Sequence, residues 1–192
     1  MKFAVTIVAV AGLALASCNR DDITDEQFNR MAVENGASTE LPPAPNSVQG
    51  FANAVANANK FEIAMSQIAD INSSASPATK AFATEMIGAH KTATVRLRVA
   101  LAQLNPPPMA DAKLSDDQQA MLDTLRPKRG AEFDAAFKAM QIAAHEKALA
   151  ALQDYTARGD TPALVDYAKS LVPVISAHLE KARALSIDRT SA

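Results

Sequence analysis

Apolar residues recur at intervals of three and four positions along four long stretches of the chain, which is the spacing of an amphipathic α-helix. The stretches run from about Ser47 to Asn72, from Ser76 to Asn105, from about Ala131 to Ala157 and from Thr161 to about Ser186. In the first of them the apolar positions are Phe51, Val55, Ala58, Met65, Ile68 and Ala69. Nowhere does the chain alternate apolar and polar residues as a half-buried strand does. The pattern therefore predicts an all-α protein built from four long helices.

Capping and helix-breaking residues lie at the ends of these stretches. Ser76-Pro77 and Thr161-Pro162 each place a good N-cap before a proline at the first helical position, where the missing N–H has no helical partner to lose. The second helix is expected to end before Pro106-Pro107-Pro108, and the third at Gly159. We also expect a kink in the fourth helix at Pro173, because proline removes a helical hydrogen bond.

The lengths of the connections predict how the helices are arranged. Short loops join the first helix to the second and the third to the fourth, so each of these pairs should be antiparallel. The connection from Asn105 to Gly130 is much longer, and it contains one short helix with a capping box at Ser115 and Gln118 that closes near Arg126. A connection of this length can cross the bundle, which would make the third helix parallel to the second. We therefore predict a ferritin-like four-helix bundle over residues 47–187, followed by a tail over residues 188–192.

The amino terminus has the layout of a bacterial export signal. Lys2 is followed by an apolar run from Phe3 to Ala16, shorter than the ~20 residues that a membrane-spanning helix needs. The run ends in Leu15-Ala16-Ser17-Cys18, which resembles the lipobox of bacterial lipoproteins, where the cysteine is acylated and the signal is cut just before it. Cys18 is also the single cysteine of the chain. We predict a lipoprotein signal peptide over residues 1–17 and lipidation of Cys18; the alternative is an ordinary signal peptide with an incidental cysteine.

The segment after the signal has the composition of a tether rather than of a core. Residues 18–46 are polar and acidic and end in a proline-rich stretch, so acyl chains on Cys18 would hold the bundle on a membrane through a flexible linker. In bacterial lipoproteins an Asp after the cysteine usually signals retention at the inner membrane. Because that residue is Asn19 here, the resemblance implies the outer membrane, with the bundle facing the periplasm.

Charge excludes one class of partner. The formal net charge of −2 offers no positive field for phosphate backbones, and the basic residues are scattered among acids, so we expect no nucleic-acid partner. The membrane, reached through the lipid anchor, is the partner that the sequence indicates, and no protein partner can be named from it.

The chain has three histidines, and each falls on the apolar stripe of a different predicted helix. These are His90, His145 and His178, on the second, third and fourth helices, and Glu62 takes the same kind of place on the first. Counted from the loops, Glu62 and His90 lie at about the same height, and His145 and His178 lie within ~6 Å of each other along the bundle. One layer would then hold a carboxyl group and three imidazoles, a ligand set suited to zinc or another transition ion. Alternatively, Glu62 accepts hydrogen bonds from the imidazoles and no ion is bound.

Segments of all four helices resemble a family of exported bacterial proteins, the Domain of Unknown Function 4142 family. They read Lys60-Phe61-Glu62-Ile63, Phe82-Ala83-Thr84-Glu85-Met86-Ile87-Gly88-Ala89-His90, Gln141-Ile142-Ala143-Ala144-His145, and Leu171-Val172-Pro173 with His178-Leu179. The resemblance covers about residues 51–185 and implies a ferritin-like bundle and export, but no established reaction. The family usually has Asp directly before the histidines of the second and third helices, where this chain has Ala89 and Ala144.

Together these features favour a non-enzymatic envelope lipoprotein whose bundle binds a metal ion, such as zinc, through Glu62, His90, His145 and His178. Two other interpretations stay open. One is a metal-dependent redox or stress-protection enzyme with the same ligands, and the other is a structural or interaction module whose internal polar layer fixes the register of the helices. The chain contains no glycine-rich phosphate loop or nucleophile elbow that would point to another chemistry.

Overall fold

A computed structural model of the chain describes residues 46–187. The predicted signal peptide, the lipidation site Cys18, all but the last residue of the predicted tether and the tail after residue 187 lie outside the described residues. The described part contains five helices and no strand: α1 (Val48–Ile71), α2 (Pro77–Leu101), α3 (Asp116–Leu125), α4 (Gly130–Arg158) and α5 (Pro162–Ala184). None of these helices combines the length and the hydropathy needed to cross a membrane. The prediction of an all-α fold with one short helix in the long connection is confirmed.

Side-chain caps begin three of the helices. The caps at Ser76 and Ser115 confirm the prediction from the sequence, whereas Thr161, predicted as the cap of the last helix, forms no side-chain capping bond. The hydroxyls of Ser47, Ser76 and Ser115 each accept a hydrogen bond from the backbone N–H three residues further along, at 3.0, 3.2 and 3.2 Å. Regular helix in α2 ends at Leu101, before the predicted end at Asn105, because the chain turns away ahead of its three prolines. α5 continues through Pro173 as a single helix.

The four long helices form a bundle in which every neighbouring pair is antiparallel. The side-chain amide of Asn72, just after α1, donates to the carbonyl of Lys128 ahead of α4, whereas Ser66 meets Gln141 well inside α4. The order of contacts between α2 and α5 is reversed in the same way, with Tyr167 bonded to Ala93 and Lys181 to Glu85. Since α1 pairs with α2 and with α4, and α5 pairs with both of those, α2 and α4 are parallel on one diagonal. This is the ferritin-like arrangement that the long connection predicts.

The long connection returns along α1 and is held there by amide side chains spaced one turn apart. Gln49, Asn53 and Asn57 exchange hydrogen bonds with the backbone of residues 109–113. The side chain of Asn57 also forms a reciprocal pair with that of Gln118 at the start of α3, with distances of 2.9 and 2.7 Å. These bonds satisfy backbone groups that a loop crossing a helix face would otherwise leave unpaired.

The interior consists of two apolar clusters with a polar layer between them. Along α2, Met86 belongs to the first cluster and Leu97 to the second, with His90 in between. The other long helices repeat this order, passing from Met65 through Glu62 to Ala56, from Phe137 through His145 to Leu152, and from Ala182 through His178 to Ile175. Phe61, Phe82, Phe133 and Phe137 dominate the first cluster, whereas the second is built around Phe51, which stacks on Tyr155 with ring centroids 3.7 Å apart. The bundle therefore holds the four ionisable side chains at one depth.

The amide contacts of α1 predict a measurable loss on truncation. Asn57→Ala removes the acceptor of Gln118 Nε2, whereas Gln118 Oε1 keeps the N–H of Ser115, so we expect the free energy of unfolding to fall by about 0.5–1.5 kcal/mol. Urea unfolding measures this loss. Gln67→Ala, at an exposed position of the same helix, is the matched control. Equal, small losses in the two variants would contradict a stabilising role for the Asn57 contact.

Candidate metal centre

The polar layer brings together one imidazole from each of α2, α4 and α5. His90, His145 and His178 are only 3%, 1% and 7% exposed. One ring nitrogen of each lies within 4.8 Å of one from each of the others, and the ring centroids are 5.6–6.0 Å apart. Nitrogens bound to a single zinc ion at ~2.0–2.1 Å lie roughly 3.3–3.6 Å from one another. Closing the remaining gap takes side-chain movements on the order of 1 Å, which rotations about side-chain bonds can supply.

Hydrogen bonds set the protonation of two of these rings. His90 Nδ1 lies 2.9 Å from the side-chain oxygen of Asn59, and His145 Nδ1 lies 2.8 Å from the backbone carbonyl of Gln141. Because both oxygens are acceptors, each Nδ1 carries the proton and donates it, which leaves the lone pair on Nε2. An outer hydrogen bond of this kind orients an imidazole for metal binding.

Each ring also has a nitrogen for which the described residues provide no hydrogen-bond partner. These buried atoms are Nε2 of His90, Nε2 of His145 and Nδ1 of His178. An unsatisfied buried polar atom costs about 1–3 kcal/mol. Both Glu62 oxygens, Nδ2 of Asn59 and Oε1 of Gln141 also lack a partner among the described residues, so the layer calls for a physical reason.

Glu62 lies beside His145 rather than among the converging ring nitrogens. The Glu62 Oε1 atom is 3.4 Å from His145 Nδ1, the same nitrogen that faces the carbonyl of Gln141. The side chain of Glu62 is 4% exposed. The group of mutually close ligand atoms in the described residues consists of the three histidines. The structure thus gathers all four predicted site residues in one layer but gives Glu62 a different position from the other three.

Burial controls the charge of the layer. Burial lowers the pKa of His90 to about 3, and repulsion from His145 and His178 lowers it further. Burial also lowers the pKa of His145 to about 4, although the hydrogen bond to the Gln141 carbonyl acts in the opposite direction. Burial also lowers the pKa of His178, while the nearby Glu85 carboxylate raises it. The pKa of Glu62 is raised by burial to about 8, although the amide of Gln141 opposes the shift. Near pH 7 the three imidazoles are therefore neutral, with lone pairs that can bind an ion without first losing a proton.

Three polar side chains around the layer were missed as site residues by the sequence reasoning. Asn59, Ser66 and Gln141 are 5%, 0% and 0% exposed, and Gln141 Nε2 points to Ser66 Oγ at 3.4 Å. Each lies one turn from an ionisable residue on the same stripe, Asn59 and Ser66 from Glu62 and Gln141 from His145. Polar residues that share a predicted buried face with Glu or His are the signal that could have found them.

The fold and this layer define a class of protein: a ferritin-like four-helix bundle with three converging histidines at mid-height. The chain belongs to the family described as "Domain of unknown function (DUF4142)", whose model matches residues 20–185.

Among solved structures, the chain is similar to one described as "CopM in the Cu(I)-bound form". The two share 18% sequence identity with a TM-score of 0.58, over 71% of this chain and 92% of that chain, a likeness that shows the fold. No curated protein sequence matches the chain.

Glu62→Gln replaces a titrating group by one of the same shape that does not titrate. Burial raises the pKa of Glu62 from 4.5 to about 8, so between these pH values the folded state keeps a proton that the unfolded state has lost. Wild-type stability therefore falls as the pH rises through this window. We expect the metal-free variant to match the wild type near pH 5 and to exceed it by roughly 2–4 kcal/mol near pH 8, measured by urea unfolding.

Glu180→Gln is the control for the Glu62 experiment, because the Glu180 side chain is 69% exposed. Its stability relative to the wild type should not depend on pH. A Glu62→Gln variant that is less stable than the wild type at both pH values would show that Glu62 is an ionised partner of His145. That result would contradict a Glu62 carboxyl group that keeps its proton in the folded state.

Proposed function

We propose that this protein binds one transition-metal ion in its polar layer and that it does so as a lipoprotein of the bacterial cell envelope. Two observations carry the metal proposal: one ring nitrogen from each of three buried imidazoles lies close to one from each of the others, and each of these rings has a buried nitrogen without a hydrogen-bond partner in the described part of the chain. A bound cation would satisfy all three at once. Without one, the bundle would bear the cost of their burial with no compensating bond.

His90, His145 and His178 would be the ligands, through the nitrogens that lack partners. Asn59 and the Gln141 carbonyl would orient the first two rings, and Glu62 would face the Nδ1–H of His145. The positive charge of an ion favours the ionised form of this carboxyl group, which would then stabilise the charge of the centre.

The ligand chemistry favours Zn²⁺ or a copper ion. Three neutral imidazoles form the protein part of many zinc sites, with a fourth position left for another ligand, and imidazole also binds copper. The similar bundle described as Cu(I)-bound supports including Cu(I) among the ions tested. When bound, such an ion supplies Lewis-acid character or, in the case of copper, the capacity for one-electron transfer.

A structural module without a ligand is the second candidate. The bonds of His90 to Asn59 and of His145 to Gln141 favour it, because a polar layer can fix the register of packed helices without any ion. A metal-dependent redox or stress-protection enzyme would use the same ligands and would additionally turn over a substrate.

Location at the outer membrane, facing the periplasm, is the second part of the proposal. Its support is the lipobox-like Leu15-Ala16-Ser17-Cys18 after a short apolar run, with Asn19 rather than Asp next to the cysteine. A lipid anchor on Cys18 and an acidic linker would keep the bundle near the membrane surface.

Metal analysis of the protein purified without a histidine tag tests the centre. We expect one Zn²⁺ or Cu(I) per chain after reconstitution, a higher melting temperature on loading, and loss of stoichiometric binding in His145→Ala. Leu152→Ala is the matched control, because it opens a cavity in the same helix at a cost of about 2–5 kcal/mol and leaves the ligands in place.

Two results would contradict the metal proposal. One is a wild-type protein that binds neither ion with a defined stoichiometry, and the other is a His145→Ala protein that binds as the wild type does. If His145→Ala also unfolds at the same urea concentration as the wild type, the structural-module candidate fails as well.

The lipid anchor is tested through Cys18. The wild-type protein should fractionate with membranes and carry acyl chains detectable by mass spectrometry of its amino-terminal peptide. Cys18→Ser should carry none and should lose its membrane association after cleavage or remain as the uncleaved precursor. A variant that is acylated and membrane-bound to the wild-type extent would overturn the lipoprotein part of the proposal.

A further inference from the structure

The three histidines are not equally shielded from solvent. His178, on α5, is 7% exposed, compared with 3% for His90 and 1% for His145. It is also the histidine whose pKa responds to surface charges, those of Glu85 and Lys181, whereas the charges that act on His90 and His145 are the other imidazoles. His178 is therefore the least shielded of the three histidines and the one on which the charges of Glu85, on α2, and Lys181, on α5, act.

An ion pair crosses the seam between α2 and α5 at this level. Lys181 Nζ, one turn after His178, lies 2.5 Å from Glu85 Oε1, which in turn lies ahead of His90 on α2. The two side chains are 53% and 43% exposed. Solvent-exposed ion pairs of this kind contribute little to stability, so the pair opens at little cost.

A different set of ion pairs crosses the seam on the other side of α5, between α5 and α4. Arg183 binds Glu146 across the seam at 2.9 Å and Glu180 on its own helix at 3.1 Å. A guanidinium stays charged at any physiological pH and here holds two carboxylates at once. Glu146 is therefore a carboxylate of similar exposure to Glu85 that is less free to exchange its partner.

We propose that the metal ion reaches the layer through the seam between α2 and α5, with Glu85 as the residue that captures it from solvent. This inference rests on the proposed function. The carboxylate releases Lys181, takes the cation as a transient oxygen ligand and passes it to His178, from which it moves to the other two imidazoles. Glu85 is thus a kinetic residue that stands outside the final ligand set.

A carboxylate at such a point accelerates capture because it raises the local cation concentration and provides the first protein ligand while hydration water is lost. Lys181 opposes it, since its ammonium group repels a cation and occupies the carboxylate. The two residues should therefore affect the association rate in opposite directions. The equilibrium affinity depends mainly on the three imidazoles and should change much less.

The test is a stopped-flow measurement of Zn²⁺ association with the full metal-free protein, followed by competition with a chromophoric indicator, and of Cu(I) association under anaerobic conditions. We expect Glu85→Gln to slow association by roughly 3- to 10-fold at low ionic strength, and salt to reduce the difference. Lys181→Gln should speed association. Glu146→Gln removes one negative charge at the other seam and should leave the rate within about twofold of the wild type.

The outcomes separate this inference from the proposed function. If the wild type binds one ion and Glu85→Gln associates at the wild-type rate, the route is wrong and the metal centre stands. Equal slowing in Glu85→Gln and Glu146→Gln would show that overall charge acts, which also overturns the route. If neither ion binds at equilibrium, both proposals fall. A drop in affinity as large as the drop in rate would make Glu85 a ligand, contrary to its assignment as a capture residue.

Discussion

The burial of imidazole and carboxyl groups between two apolar clusters is the constraint on which the rest of this structure depends. Each long helix contributes one of the residues Glu62, His90, His145 and His178 from its buried stripe, and the four lie in one layer. A polar group that enters an apolar interior must find partners there, because water no longer supplies them. Asn59 and the Gln141 carbonyl bind Nδ1 of two rings, whereas one nitrogen of each ring and both oxygens of Glu62 have no hydrogen-bond partner within residues 46–187. The unpartnered nitrogens of three neighbouring rings are the physical basis for placing an ion in the layer.

The order and direction of the helices bring the three histidines together. Because the connection between α2 and α4 runs the length of α1, those two helices are parallel and lie diagonally across the bundle. His90 and His145 therefore approach each other from opposite corners, and His178 joins them from α5. The amide side chains of Gln49, Asn53 and Asn57 hold the connection in place, so polar residues on the outside of α1 help to determine which helices face each other inside.

Much of this arrangement could be predicted from the sequence, because its causes are local or countable. Periodic apolar positions and caps such as Ser76 indicate the helices, and the length of the connection from Asn105 to Gly130 indicates the topology. Depth counted from the loops placed all four ionisable residues in one layer. The orientation of each side chain could not be predicted from residue spacing, because it depends on the rotamer and on neighbours from other helices. For that reason the different position of Glu62 and the bond between His90 and Asn59 emerged only from the structure.

The same geometry bears on Ala89 and Ala144, which stand where the family resemblance leads us to expect Asp before His90 and His145. Ala89 and Ala144 supply no partner for the rings, but each Nδ1 already has one, in Asn59 and in the Gln141 carbonyl. The orientation of the rings thus does not depend on those positions.

X-ray absorption spectroscopy of the protein loaded with one equivalent of Zn²⁺ tests most directly the central claim, that three imidazoles bind one metal ion. We predict a first shell containing three imidazole nitrogens at ~2.0–2.1 Å, with the multiple-scattering signature of histidine rings. A first shell of carboxylate or water oxygens without imidazole scattering would contradict it.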